Sequence, residues 1–252
     1  MSGTSGVSGS GGTTDTTSAE VTAKVERRAA TPIAGAVAGM LFAVLFGVSV
    51  SIISGTMTDV ARDTGTRSEL SSGAFRFAIA LVPFAGLFFL WFIAVARERL
   101  GRFEDQFFST VFFGSGLLFL GMIFAAAASA AAIAAAYVKA PSAFVASSTY
   151  LYARQIAAQI FNVYALRMAA VFLISQATLW LRTGVMPRWM ALLTFVVALV
   201  LLFVVTQASW VVLVFPAWVF LVSVFILITH LTGRRPTGEV LPSEHPAGPG
   251  RP

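Results

Sequence analysis

Apolar residues come in long blocks along this chain, at about 33–54, 74–96, 109–137, 157–181, 189–206 and 209–231. Each block is near or above the roughly 20 residues that a helix needs to cross a hydrocarbon core of about 30 Å at 1.5 Å per residue. Backbone N–H and C=O groups in hydrocarbon must be satisfied internally, and a helix does this within one segment. The pattern predicts an all-α fold, a polytopic integral membrane bundle of about six transmembrane helices spanning residues 31–232. The third block is long enough to tilt or to run past the bilayer. Only Thr206, Gln207, Ala208 and Ser209 separate the last two blocks, which predicts a tight hairpin there.

The ends of the chain read differently. Residues 1–30 open with Gly, Ser and Thr and almost no apolar side chain, too little to offset the entropy of ordering, so a disordered cytoplasmic tail is expected. Residues 233–252 are rich in Pro and Gly and read as a second solvated tail. The block at 33–54 follows Lys24, Arg27 and Arg28 and is longer than the 7–15 residues of a signal-peptide core, so it is expected to stay as the first span.

Charge sets an orientation. Lys24, Arg27, Arg28, Arg97, Arg99, Arg102, Arg182, Arg188, Arg234 and Arg235 fall on one side of the six-span arrangement; Arg62, Arg67, Lys139 and Arg154 fall on the other, with Arg76 near its edge. Cytoplasmic loops are enriched in Lys and Arg, so both termini are expected inside. Trp180, Trp189, Trp210, Tyr137, Tyr150 and Tyr152 lie near block ends, where half-wet rings are favoured. The alternating charges from Arg97 to Asp105 suit a solvated connection at the membrane face.

Composition narrows the chemistry. The chain is 57% hydrophobic and 11% charged, well below the roughly 25% charged residues of soluble domains. The net charge of +6 is spread over block ends rather than gathered on one face, which speaks against nucleic-acid binding. Absence of cysteine excludes disulfides, thiolate metal sites and cysteine nucleophiles. Only Lys24 and Lys139 among 17 basic residues are lysine, which together with the many alanines points to a high-GC bacterial genome, and the multi-span pattern then leads to an expected plasma-membrane location. No phosphate-binding loop, HExxH or GxSxG pattern is present, and no acidic residue lies within a block. No enzymatic activity, cofactor or metal is therefore expected, and carriers that use intramembrane carboxylates are disfavoured. His230 and His245 read as interfacial and solvated.

Within the first block, Gly35, Gly39, Ala43, Gly47, Ser51 and Gly55 recur at every fourth position, a stripe that lets another backbone approach closely. It fits packing inside the bundle or self-association. The alanine run from Ala125 to Ala136 makes a smooth rod expected at a central position. Pro83 and Pro216 remove the helical donors for the carbonyls of Ile79 and Val212.

The fourth block is the most polar. On an uninterrupted helix with Gln155 at zero, Gln159 falls at about 40°, Asn162 at about −20° and Gln176 at about −60°, one stripe of amides about 100° wide. Arg167 falls at about 120°, within reach of Gln159. Charged groups in a membrane face a bundle interior or water, or snorkel to the headgroups. For Arg167 the readings are snorkelling, contact with an anionic group, or an ion pair with Asp59, Asp63 or Glu69. Two functions compete. One is a non-enzymatic subunit or scaffold that works through helix packing with lipid, a membrane protein partner or a second copy. The other is a small-solute or lipid binding or transport protein whose cavity is lined by Gln155, Gln159, Asn162, Arg167 and Gln176.

Overall fold

The computed structural model describes residues 33–57, 70–100, 106–139, 143, 147–203 and 211–232. The expected tails, the acidic loop residues Asp59, Asp63 and Glu69, the hairpin turn at 206–209 and His245 lie outside them. Among the described residues the chain is all-helical, with six principal helices. They are α1 (Ile33–Met57), α2 (Gly73–Leu100), α3 (Gln106–Lys139), α4 (Ser148–Thr183), α5 (Arg188–Phe203) and α6 (Val211–Leu231). Five are long and apolar enough to cross a membrane. The 16 described residues of α5 reach about 24 Å, short of a full hydrocarbon core.

α3, like its long apolar block, exceeds what a bilayer requires, and α4 is far longer than its block. The 36 residues of α4 span about 54 Å, because a helix need not stop where its hydrophobicity does. Ser147 caps its start, accepting from the backbone N–H of Tyr150, and Gly184 closes its end with φ 65. That left-handed conformation, which glycine adopts without strain, lets the chain turn directly into α5. α4 is not uniformly α-helical. Residues Ile160–Ala165 form a π-helical turn between an α segment at Ser148–Gln159 and another at Leu166–Thr183.

α3 packs against α2 and both segments of α4, α5 packs on the second segment of α4, and α6 packs on α5. The centre is built from phenylalanine. Phe215 of α6 meets Phe42, Phe89, Phe119 and Phe172 of four other helices at 6.1, 5.9, 4.6 and 6.2 Å, mostly edge to face, and Phe112 stacks on Phe172 at 4.5 Å. Lipid is as apolar as these side chains, so close packing and ring geometry hold the helices together rather than expulsion of water.

Glycines set the closest approaches. A Cβ at Gly35 would lie 2.6 Å from Val95 of α2, and one at Gly116 would lie 2.6 Å from Ile93 of α2 and 3.2 Å from Phe172 of α4. Gly39 abuts the Ser223 hydroxyl of α6 and Phe92 of α2. The first part of the small-residue stripe, Gly35, Gly39 and Ala43, is thus buried within the chain. Gly47 and Gly55 are partly exposed with open space beside them, and Ser51 is exposed.

Hydroxyls inside the bundle bond mostly to their own helix: Ser49 donates to the Leu45 carbonyl, Ser175 to Val171 and Thr194 to Met190, at 2.8–2.9 Å. At one end of the bundle Arg97 and Arg182 lie over the rings of Phe113 and Phe108, 4.7 and 4.6 Å from their centroids. At the other end a smaller cluster joins Leu70, Phe75, Ala130, Ile133, Ala134 and Tyr150. The alanine-rich half of α3 buries one face there, through Ala126, Ala130 and Ala134, while Ala125, Ala128, Ala132 and Ala135 are exposed.

Candidate functional site

Between the phenylalanine centre and the smaller cluster lies a cavity of about 150 Å³, neither sealed nor flat. α1 supplies Phe46, Val50 and Ile53, α3 supplies Ile123 and a wall of Ala126, Ala127 and Ala130, and α4 supplies Arg154, Ala158, Phe161 and Asn162. Space exists because five alanines of α3 and α4, Ala157 among them, face the large side chains of α1 without filling the gap. The walls are mainly apolar. Arg154 is the charged residue of the lining, and Asn162 and Ser54 are its uncharged polar side chains. Among the described residues no hydrogen bond or ion pair to the Arg154 guanidinium is found. Val212 also lines the cavity, and buried Pro216, lacking an N–H, cannot donate to its carbonyl. Pro83 is exposed on the outside of α2.

The amides of α4 are not gathered here. Asn162 lines the cavity, Gln155 and Gln159 are exposed, and Gln176 is buried at 4% exposure in the second segment of α4. Arg167 is half-buried, and its Nη1 donates to the Val163 carbonyl of its own helix at 2.9 Å. It is not part of the cavity lining.

The π turn accounts for this dispersal. On the uninterrupted wheel anchored at Gln155, the buried residues of Leu166–Thr183 centre at about −40°, whereas the sheltered residues Tyr150, Ala153, Arg154, Ala157 and Ala158 centre at about −130°. The difference is about 100°, the angle of one residue. A π turn accommodates one extra residue, so everything before it is rotated by one position relative to everything after it. Gln155 and Gln159 are thereby carried outward, and Arg154 and Ala158 are carried in. Arg154 escapes detection in the sequence because the polar stretch Thr149–Gln155 reads as a loop before the span rather than as helix.

No family model, curated protein or solved structure matches this chain. A mostly apolar pocket with a single cation and an amide at its side fits a molecule with an apolar body and an anionic end. Its volume is that of the roughly 150 Å³ apolar cavity known to accept benzene, so it has room for a short stretch of hydrocarbon.

Proposed function

We propose that this is a multi-pass membrane protein with both termini in the cytoplasm, which binds or carries an anionic amphiphile in the cavity between α1, α3 and α4, without catalysing a reaction. The observation that supports this most is the coincidence of Arg154 with an apolar pocket at headgroup depth. Arg97 and Arg182, over their phenylalanine rings, suit one membrane interface. About 20 residues from that level reaches Ala128 along α3 from Phe108, and Asn162 along α4 back from Arg182. The same count reaches Ile53 from the start of α1 and Val211 from the end of α6.

The cavity lining therefore lies where hydrocarbon gives way to headgroups. A carboxylate or phosphate can meet Arg154 there while its chain lies against Phe46, Val50 and Ile123. Charge-assisted bonds from arginine to such oxyanions are among the stronger polar contacts.

The test uses the absence of native cysteine. Ala158→Cys in right-side-out vesicles is treated with a membrane-impermeant maleimide, alone or with decanoate or decyltrimethylammonium. Labelling from outside, slowed several-fold by decanoate but not by the cation, is the expected result, and Arg154→Gln should remove the protection. Equal protection by both amphiphiles would overturn the anionic assignment. Labelling only after the vesicles are opened would overturn the orientation.

A further inference from the structure

The π turn makes α4 a helix with two usable registers. We propose that it acts as a register switch that exchanges the charged lining of the cavity for an uncharged one. In the register described, Arg154 and Ala158 face the cavity. Collapse of the turn at Ile160–Ala165 to α-helix would rotate Ser148–Gln159 by about 100°, one residue, relative to Leu166–Thr183. Each position before the turn would then be taken by the next residue in sequence.

Most of the exchanges suit the second arrangement, but Arg154 would take the place of Ala153, which packs against the smaller apolar cluster, so the second register is the minor one. Leu151 would replace Tyr150 in the smaller apolar cluster, an apolar residue for a mostly apolar one. Ala158 would replace Ala157. Gln155 would take the place of Arg154, and Gln159 that of Ala158, so that two amides now exposed on α4 would enter the cavity beside Asn162. In the register described, those two glutamines are exposed on α4. The rotation brings them to the cavity beside Asn162 and moves the guanidinium out of the lining, to the position of Ala153.

The switch follows from helix geometry and does not depend on what occupies the cavity. Its consequence for any anionic occupant is loss of the positive charge beside it.

The experiment crosslinks α4 to Ser54 of α1, another residue of the lining, in the full-length protein reconstituted without added ligand. Ser54→Cys is paired in turn with Arg154→Cys, Gln155→Cys and Ile156→Cys and treated with a short bismaleimide. The Ser54–Arg154 pair should crosslink fastest. A minor register populated at about 0.1–10% is enough for irreversible crosslinks to accumulate, so the Ser54–Gln155 pair should rise several-fold above the Ser54–Ile156 pair. Deletion of Val163 removes the extra residue and fixes the present face in an ordinary α-helix. It should keep the Ser54–Arg154 crosslink and bring Ser54–Gln155 down to the Ser54–Ile156 level.

Equal yields for Gln155 and Ile156 in the full-length protein would overturn the switch, as would a Gln155 yield that the deletion leaves unchanged. If the deletion abolishes the Arg154 crosslink as well, the shortened helix has not folded, and the Gln155 to Ile156 ratio in the full-length protein decides. A negative result here leaves the amphiphile reading of the cavity standing, since that reading needs only the register described.

Discussion

The two ends of the bundle solve the same packing problem with opposite materials. Toward the Arg97 and Arg182 end, phenylalanines from α1, α2, α3, α4 and α6 interlock, and glycines let the backbones close on them. Toward the Tyr150 end, α3 and α4 present alanine, and the large residues of α1 face a gap that nothing among the described residues fills. Without a hydrophobic force between helices in lipid, contact has to come from shape. A region with shape complementarity on every side becomes a core. A region of small side chains between helices held apart by their neighbours becomes a cavity. The difference teaches that the cavity is a product of residue size along α3 and α4, and that it can be altered without touching the phenylalanine core.

The largest effect should come from the core. Phe215→Ala removes a ring that meets Phe42, Phe89, Phe119 and Phe172. In a bilayer the unfolded reference is already apolar, so the cost of transfer to water is absent. The vacated space remains, at about 24 cal/mol per Å³, which for roughly 100 Å³ of lost side chain is about 2 kcal/mol. Lost ring pairs add about 0.5 kcal/mol or more each, for a total on the order of 4 kcal/mol. Thermal unfolding in detergent should show a large drop, and an unchanged midpoint would mean that the rings are not the centre of stability.

Adding volume sharpens the contrast at a smaller scale. Gly116→Ala places a methyl 2.6 Å from Ile93 and 3.2 Å from Phe172, an overpacking cost of about 1–3 kcal/mol. Gly47→Ala adds the same methyl where nothing lies within 4 Å, and the better helix propensity of alanine should leave stability equal or up to about 1 kcal/mol higher. Comparing their midpoints by the same unfolding measurement tests whether glycine is required for contact or merely tolerated. A similar loss in both would show that backbone freedom, not close approach, is what matters.

Much of this architecture is legible in the apolar blocks, because a bilayer permits few backbone solutions and helix is the simplest. The extension of α4 beyond its block is not, since a polar helix such as Ser148–Gln159 has no hydropathy signal and earns its place by packing on α3. The amides of α4 show the limit most clearly. A wheel drawn at 100° per residue is valid for each segment of the helix but not across Ile160–Ala165, and nothing in the residues IFNVYA announces an extra residue in the turn. One local departure from ideal geometry moves every upstream side chain to another face, so Arg154 enters the lining and Gln155 leaves it. The first part of the glycine stripe, by contrast, keeps one face because α1 is uninterrupted from Gly35 to Ala43, and Gly35 and Gly39 lie against α2 and α6.

The smallest expected effect on stability carries the most information about purpose. Ala127→Leu adds three carbons on α3 facing the cavity and changes no charge. Leucine and alanine are both good helix formers, so the helix itself should be indifferent. If the gap is a packing imperfection, filling it should raise stability, typically by about 0.5–2 kcal/mol, with no further consequence. If the gap is a binding site, the same substitution should leave the midpoint equal or higher while abolishing the protection of Ala158→Cys by decanoate. Arg154→Gln should give the complementary result, with volume kept and charge lost. Loss of protection in both variants, with unfolding midpoints held, would locate binding in the joint action of an apolar gap and one guanidinium. Protection surviving Ala127→Leu would place the amphiphile on the surface of the bundle near Arg154 instead of inside it.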